Sequence, residues 1–523
     1  MSPLDDPFPQ SAGRPLAAAS DPSLPQIPQE ASSSWRLVGD VVATLETQAT
    51  IWLEQLLLGI PYDPVPGLQA QQVLGWIEQV LLPKLQQTPD EIHYLLHGLA
   101  GGYVPSGAAG APTRGRVDVL PTGRNFYAVD IRGIPTETAW QVGYRAANAV
   151  VERYVQAEGE YPRRLGLSVW GTSTMRTGGD DWAEALALLG VKPVWDGSAR
   201  RVLDFEILSL DVLQRPRVDV TLRISGFFRD AFPNLISLFD QAVKAVADLP
   251  ESEADNPLRA SVLRDQAYWQ VQGIPADQAA AKAKLRIFGC KPGAYGAGLQ
   301  GLIEGQNWLS DHDLARAYLN WSSYAYTGEA QGQAAAAMLE RQLSQLQIVL
   351  HNQDNREHDL LDSDDYYQFQ GGMTAAVRSL SGRDPQIFFG DHAQPQRPRV
   401  KLLREEIDKV YRSRVINPQW IAGVMRHGYK GAFEMAATVD YLFAYDATTH
   451  CVEDFMYAGV TQAYLLDPQV QAFMQQHNPW AVRDISERLL EAHQRGLWQH
   501  PEPALLDQLQ TILLEAELAV EQH

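Results

Sequence analysis

Leu165-Gly-Leu-Ser-Val-Trp-Gly-Thr-Ser-Thr-Met-Arg-Thr-Gly-Gly-Asp-Asp-Trp-Ala-Glu-Ala-Leu-Ala-Leu-Leu-Gly-Val-Lys-Pro-Val-Trp195 is the stretch on which the fold turns. Leu165 to Trp170 is a short apolar run that ends in Gly-Thr-Ser-Thr. Asp180 to Leu189 has helical spacing and stops at Gly190, and Val191 to Trp195 reads as a strand. Outward from there, Val202–Leu210 and Val218–Ile224 read as further strands and Pro233–Ala247 as a helix. Alternation of strand and helix predicts an α/β fold built on a parallel sheet. Ligands of such sheets sit at the carboxyl ends of the strands. The loops Gly171–Asp181 and Ser225–Asp230 are therefore candidate site loops. GTSTMRTGGDD is not a phosphate-binding loop, and no GxxxxGK[ST] occurs in the chain, so ATP hydrolysis by this chain is not expected.

The flanks have different compositions. Residues 1–34 are rich in Pro, Ser, Ala and Gln and predict a disordered leader. Residues 35–97 carry apolar stripes at helical spacing, such as Leu37, Val41, Leu45 and Val73, Trp76, Ile77, Val80. Residues 98–250 combine a Gly- and Pro-rich segment with the α/β unit. Its basic residues Arg114, Arg116 and Arg124 alternate with glycines, which suits backbone approach to an anion and equally a linker. Residues 251–400 read as largely helical and contain an acidic, His-bearing stretch; residues 401–523 read as a helical C-terminal region. The overall expectation is a parallel-sheet α/β unit flanked by largely helical regions.

Composition narrows the function classes. The 523 residues are 45% hydrophobic and 20% charged with a formal net charge of −20. So acidic a chain offers no basic face to nucleic acid. No apolar run is long enough for a membrane-spanning helix, and the N-terminus MSPLDDPFPQ lacks the basic and apolar regions of a secretory signal. Two cysteines, Cys290 and Cys451, are too few for a disulfide framework or a thiolate metal cage. A reducing, cytoplasmic setting fits.

His351 to Asp365 carries six acids, two histidines and one arginine. Read as a helix, it places Asp354, His358, Asp362 and Asp365 on one face, with His351 a turn earlier. Imidazole with carboxylate suits a borderline divalent ion such as cobalt, nickel or zinc. The same pattern also suits a solvated acidic face. It is not an EF-hand loop, since Asp359 stands where glycine is required.

These stretches, APTRGRVDVLPTGRNFYAVD (111–130), 170–196, RPRVDVTLRISGFFRDAFPNLI (215–236), RIFGCKPGAYGAGLQ (286–300), HNQDNREHDLLDSDDYYQFQGGM (351–373) and MRHGYKGAFEMAATVDYLFAYDATTH (425–450), resemble the large subunits of the cobaltochelatase/magnesium chelatase family, and within it the cobalt branch. They run in family order. His351, His358 and the Gly371–Gly372 pair tip the resemblance towards cobalt. The resemblance implies a part of a class I, ATP-dependent chelatase large subunit, a ligase forming nitrogen–metal bonds. Its substrates would be Co2+ and a tetrapyrrole, a corrin precursor of the hydrogenobyrinic acid a,c-diamide type, in cobalamin synthesis. It also implies an AAA+ ATPase partner that hydrolyses ATP with Mg2+, and a companion with an integrin-like domain. Family large subunits are well over twice this length. Their N-terminal half carries a His-Gly-x-x-Glu-Trp-like motif that is missing here, so a separate polypeptide carrying that half is a further expected partner.

Metal insertion requires a metal that sheds water stepwise and a base near neutrality for two departing N–H protons. On the resemblance, Glu357, His358 and Asp362 are assigned to metal delivery and base catalysis, with His351 and Asp354 as further metal ligands. Arg114, Arg124 and Arg176 are candidates for the carboxylates of the ring. Two alternatives stay open: a magnesium chelatase fragment acting on protoporphyrin IX, and a non-catalytic tetrapyrrole- or metal-binding relic.

Overall fold

The computed structural model describes residues 38–107, 119–126, 130–197 and 200–521. The expected leader 1–34, and Arg114 and Arg116, lie outside the described residues. The chain forms two compact units that divide after Ala128.

The N-terminal unit holds helices Val38–Leu58, Leu68–Trp76 and Asp90–Leu99, with a short parallel pair, Ser106–Gly107 beside Asn125–Phe126. The break at Pro61–Pro66 is fixed by Trp52, whose Nε1–H donates to the Pro64 carbonyl at 2.6 Å.

The second unit is built on an eight-stranded sheet. Its strands are β1 (Arg164–Val169), β2 (Asp219–Ile224), β3 (Ile287–Gly289), β4 (Tyr324–Tyr326), β5 (Gln331–Ala334), β6 (Ile348–Gln353), β7 (Gln386–Asp391) and β8 (Arg399–Leu402). The spatial order is β8-β7-β6-β1-β2-β3-β4-β5. β7, β6, β1, β2 and β3 run parallel, and β8, β4 and β5 close the edges antiparallel. The chain lays β1, β2 and β3 outward in one direction, then returns to place β6 on the other side of β1. That reversal opens a crevice at the carboxyl ends of β1 and β6. Every residue of β1, β2 and β6 is buried, as expected for strands covered on both faces.

Helix α1 (Glu137–Glu158) starts at Thr136, whose hydroxyl accepts from the Ala139 N–H. Helices α2 (Gly171–Thr177) and α3 (Asp180–Leu189) follow β1 directly. All ten residues of α3 are buried. Gly143 lets α1 lie against α3: a Cβ there would come within 2.4 Å of the Glu184 backbone nitrogen. Gly190 ends α3 at φ 79°, a left-handed conformation that glycine adopts without strain. Trp182 on α3 packs against Phe228 and Phe239, with ring centroids 4.8 and 5.3 Å apart; Phe239 belongs to α4 (Pro233–Ala247). The opposite face of the sheet carries the second core, formed with α5 (Gly372–Ser381), α6 (Tyr429–Thr449), α7 (Pro479–Gln494) and α8 (Pro503–Glu521).

The α/β reading holds, with corrections. Val191–Trp195 and Val202–Ile207 are strands, but they pair with each other as a separate antiparallel hairpin. The supposed loop Gly171–Asp181 is mostly helix. Residues 251–400, read as helical, supply six of the eight strands of the sheet. These strands are three to six residues long, too short for a two-residue period to stand out. Arg399–Leu402, at the boundary of the two regions read as helical, is strand β8, with a helix beginning at Leu403.

The acidic stretch is not a helix. His351, Asn352 and Gln353 complete β6, and residues 354–363 form a loop. Ile348-Val-Leu350 leads the segment into the sheet, where β7 and β1 flank it on both sides. Ladder bonds on two edges outweigh any local helical preference. Asp354, His358, Asp362 and Asp365 therefore share no helical face.

Candidate functional site

The crevice between β1 and β6 gathers polar groups from both strand ends, from α2 and α3, and from the residue after β7. β6 brings His351 and Asn352, which as neighbours on a strand point to opposite faces of the sheet.

On the Asn352 side lies a buried nest of charge. Asp180, Asp181 and Glu184 sit in the first two turns of α3, with Glu184 one turn from both aspartates. The helix N-terminus favours the two aspartates, but all three side chains are 2% exposed or less. His392, which directly follows β7, supplies the cation. Its Nδ1 lies 3.3 Å from Asp180 Oδ2 and 4.0 Å from Asp181 Oδ1, and its Nε2 lies 3.9 Å from Glu184 Oε2. Asn352 Nδ2 donates to Asp181 Oδ1 at 3.0 Å and to Glu184 Oε2 at 2.5 Å. Ser173 Oγ donates to Asp181 Oδ2 at 3.3 Å.

Burial makes this nest hold protons. Desolvation, together with the Asp180 charge, pushes the Asp181 carboxyl up to about 8. Desolvation pushes the Glu184 carboxyl up to about 7. For His392 burial works downward, but the Asp180 hydrogen bond and the surrounding carboxylates outweigh it and raise the imidazole to about 9. The ligand atoms of Asp180, Asp181 and His392 all lie within 4.8 Å of one another, spacing that a single cation could span. Glu184 Oε1 and His392 Nε2 are buried without a hydrogen-bond partner. Oxygen and imidazole donors of this kind suit a borderline divalent ion, and its binding would expel the protons held there.

On the other face, His351 is enclosed by aromatic rings. Trp170 stands edge-on at 6.1 Å between centroids, Tyr366 at 5.2 Å and Phe389 at 6.3 Å. Its Nδ1 faces Trp170 Nε1–H at 3.4 Å, and its Nε2 is buried without a partner. Burial drives this imidazole down to about 4, so it is neutral at pH 7. At the end of the strand Asp354, buried, receives both arms of Arg176 from α2, at 2.9 and 2.8 Å.

The structure thus brings His351, Asp354 and Arg176 to the crevice. The Arg176 fork that sequence reasoning offered to a ring carboxylate is engaged by Asp354. Glu357, His358 and Asp362 lie on the exposed loop beyond it. Asp362 is 3.3 Å from Arg414, which also pairs with Asp359 at 2.6 Å. Arg124 is exposed and belongs to the N-terminal unit. The second candidate loop, Ser225–Asp230, contains most of a short helix in which Arg229 pairs with Asp230 and donates to the Lys291 and Ala294 carbonyls; it braces the Gly-rich turn after β3.

Sequence reasoning missed Asp180, Asp181, Glu184, Asn352 and His392. One signal was present: three acids within five residues of a helix otherwise apolar enough to be wholly internal. His392 had none, standing 212 residues from its Asp180 partner.

Comparison with known proteins agrees with this architecture. A profile of the family described as CobN/Magnesium Chelatase matches residues 5–505. The aerobic cobaltochelatase subunit CobN of Pseudomonas aeruginosa is 54% identical over 484 residues, 92% of this chain and 39% of that protein. The protein of the same description from Sinorhizobium sp is 51% identical, over 89% of this chain and 36% of its own. A magnesium-chelatase subunit from Chlorobaculum parvum is 32% identical over 443 residues, 84% of this chain and 34% of that protein. The solved catalytic subunit of cobaltochelatase from Mycobacterium tuberculosis superposes with a TM-score of 0.82 at 49% identity, over 86% of this chain and 38% of that one. The chain therefore spans about two fifths of the length of these cobaltochelatase relatives. No helix among the described residues is long and apolar enough to cross a membrane. With a match across nearly its whole length and the expected α/β class beneath it, the chain belongs to the CobN/magnesium chelatase family.

Proposed function

We propose that this chain supplies part of the large subunit of an ATP-dependent cobaltochelatase, which inserts Co2+ into a corrin precursor of the hydrogenobyrinic acid a,c-diamide type. The observation that carries the reading is the crevice at the ends of β1 and β6, where a neutral buried imidazole, a carboxylate–arginine pair and a proton-holding nest are set on rigid strands. Identities of 54% and 51% to cobaltochelatase subunits, against 32% to a magnesium-chelatase subunit, support cobalt over magnesium.

In this reading the exposed loop and the buried crevice divide the work. Glu357 and His358 reach solvent, where carboxylate and imidazole exchange with the waters of Co2+ one at a time. Asp362, held near Arg414, is a further ligand or base at the rim. Asp354 and Arg176 fix the root of the loop against α2. His351 keeps a neutral imidazole at the strand end. The nest holds groups titrating from about 7 to about 9, the range in which protons leaving the ring nitrogens can be taken up at neutral pH. Arg114 and Arg124 remain candidates for the peripheral carboxylates of the ring. The driving energy comes from ATP hydrolysed on a partner AAA+ protein, with an integrin-like-domain companion and a polypeptide carrying the remaining length of the large subunit.

The test replaces Glu357 with Gln and His358 with Ala in the complete complex. Cobalt insertion should fall by at least tenfold while tetrapyrrole binding, followed by absorbance, persists. Unchanged insertion would remove the loop from the mechanism.

A further inference from the structure

The Gly-rich turn after β3, residues 290–299, takes no part in the crevice chemistry above, yet it is held rigidly beside it. Arg229 donates to the Lys291 and Ala294 carbonyls at 2.9 and 3.0 Å. Arg223, 2% exposed and near the end of β2, donates to the Gly296 carbonyl at 2.9 Å. The turn is thereby fixed at the strand ends.

Three large aromatic rings stand out along this edge instead of entering the core. Phe227 is 41% exposed, Tyr295 59% and Trp321 42%. Each lies on a glycine. A Cβ on Gly171 would come within 2.6 Å of the Phe227 ring, and one on Gly226 within 2.5 Å of the Tyr295 ring. A Cβ on Gly298 would overlap the ring of Trp321, which stands just ahead of β4. These glycines follow β1, β2 and β3 in turn. Gly171 and Gly226 are neighbours, since the Gly171 N–H donates to Ser225 Oγ at 3.2 Å. The rings therefore form a row along the carboxyl ends of three parallel strands, where ligands of such sheets bind. Trp170, half-buried, starts the row and joins it to the crevice through its hydrogen bond to His351. Tyr295 is pinned, because its hydroxyl donates to Asp230 at 2.8 Å and Arg229 pairs with Asp230 in turn. The backbone beside it is bare: Gly293 and Gly296 have open space where a Cβ would stand.

Such a row presents ring faces and uncovered peptide along one edge. The shape it fits is a flat, conjugated plate that several rings touch at once. From β6 to β3 the strand ends span three spacings, about 14 Å in all, so the plate has room to lie across both row and crevice. Lys291, exposed at the start of the turn, has no ion pair among the described residues. It offers a cation to an acid group on the edge of the plate.

We propose that Phe227, Tyr295 and Trp321 are a stacking platform for one face of the tetrapyrrole, with Lys291 at a peripheral carboxylate. This rests on the cobaltochelatase reading and adds the residues that hold the ring. The test titrates the complete complex, without ATP, with hydrogenobyrinic acid a,c-diamide, followed by absorbance. Phe227→Leu, Tyr295→Leu and Trp321→Leu should each weaken binding about fivefold or more. Tyr295→Phe keeps the ring and should bind as the parent does. Lys291→Gln should weaken binding of the acid about threefold or more and leave binding of its methyl ester unchanged. All four positions are exposed, so the thermal midpoint of each variant should stay at that of the parent. A parent that binds the ring, with leucine variants that bind it equally, overturns the platform and leaves the cobaltochelatase reading standing. Leucine variants that bind the ring normally but fail to assemble the complex show a protein interface and overturn the platform as well. A parent complex that binds no ring overturns both.

Discussion

Two acidic regions of this chain use the same residue types to opposite ends. The nest of Asp180, Asp181, Glu184 and His392 is sealed behind α1 and the sheet, and nothing in it exceeds 2% exposure. The loop bearing Glu357, His358 and Asp362 lies in solvent. In the nest, desolvation dominates and the carboxyls keep protons that ordinary carboxyls lose. On the loop, water and Arg414 do the compensating. A cluster of acids in sequence therefore says little about its chemistry until its dielectric surroundings are known.

The largest expected contrast is in stability. His392→Leu removes the cation of the nest and leaves three buried carboxyls without it. Loss of one partner of a buried charge set costs about 3–5 kcal/mol, to be read from urea unfolding. A loss of less than about 1 kcal/mol would mean that the nest is neutral without its histidine, and the contrast would fail.

The next contrast is in pH. Asp181 and Glu184 have folded values of about 8 and about 7, above their ordinary carboxylate range, and His392 is raised to about 9. In all three cases the folded state binds more protons than the unfolded state. The stability from His392 is fully present below its unfolded value near 6.5 and is lost as pH rises through about 9. The two raised carboxyls act in the same direction, costing stability from their unfolded range up to about 8 and about 7. The unfolding midpoint should fall between about pH 6 and about pH 9, and Asp181→Asn with Glu184→Gln should flatten that slope. A slope unaltered in the double variant would place the titrating groups elsewhere.

A smaller effect is expected where the two regions join. Arg176→Ala leaves Asp354 buried without its fork and should cost roughly 1–2 kcal/mol, since the arginine is itself partly exposed. Arg176→Lys should recover only part of this, because a point charge cannot make the paired contact. The smallest effect belongs to the loop: Glu357→Gln with His358→Ala should stay within about 0.5 kcal/mol of the parent in unfolding, even though chelation is expected to fall sharply. A large stability loss there would show that the loop is structural.

Legibility in the sequence follows from pattern length. The apolar runs at Leu165–Trp170 and Val218–Ile224 correspond to β1 and β2, and Pro233–Ala247 is α4 with those same ends. Asn417–Pro418, a capping residue followed by a proline at the first helical position, opens a helix, with the Asn417 side chain accepting from the Gln419 N–H. Long or wholly apolar segments carry their own evidence. The strands between 287 and 402 do not, and β6 is further hidden because its second half, from His351, is polar.

Long motifs in order were enough to place the chain in its family, and runs of apolar residues, required where a strand is covered on both faces, were enough to place it in the α/β class. His351 and Asp354 also stood out from residue type and spacing, whereas Arg176 was singled out only with the resemblance. Which acids are buried and which are wet was settled at the tertiary level. Asp180 and His392 meet because β1 and β7 are held in one sheet with β6 between them, a relation that depends on strand order and leaves no local trace in the chain. Burial then sets the protonation of each group, since the energy of a charge depends on the medium around it and not on its neighbours in sequence.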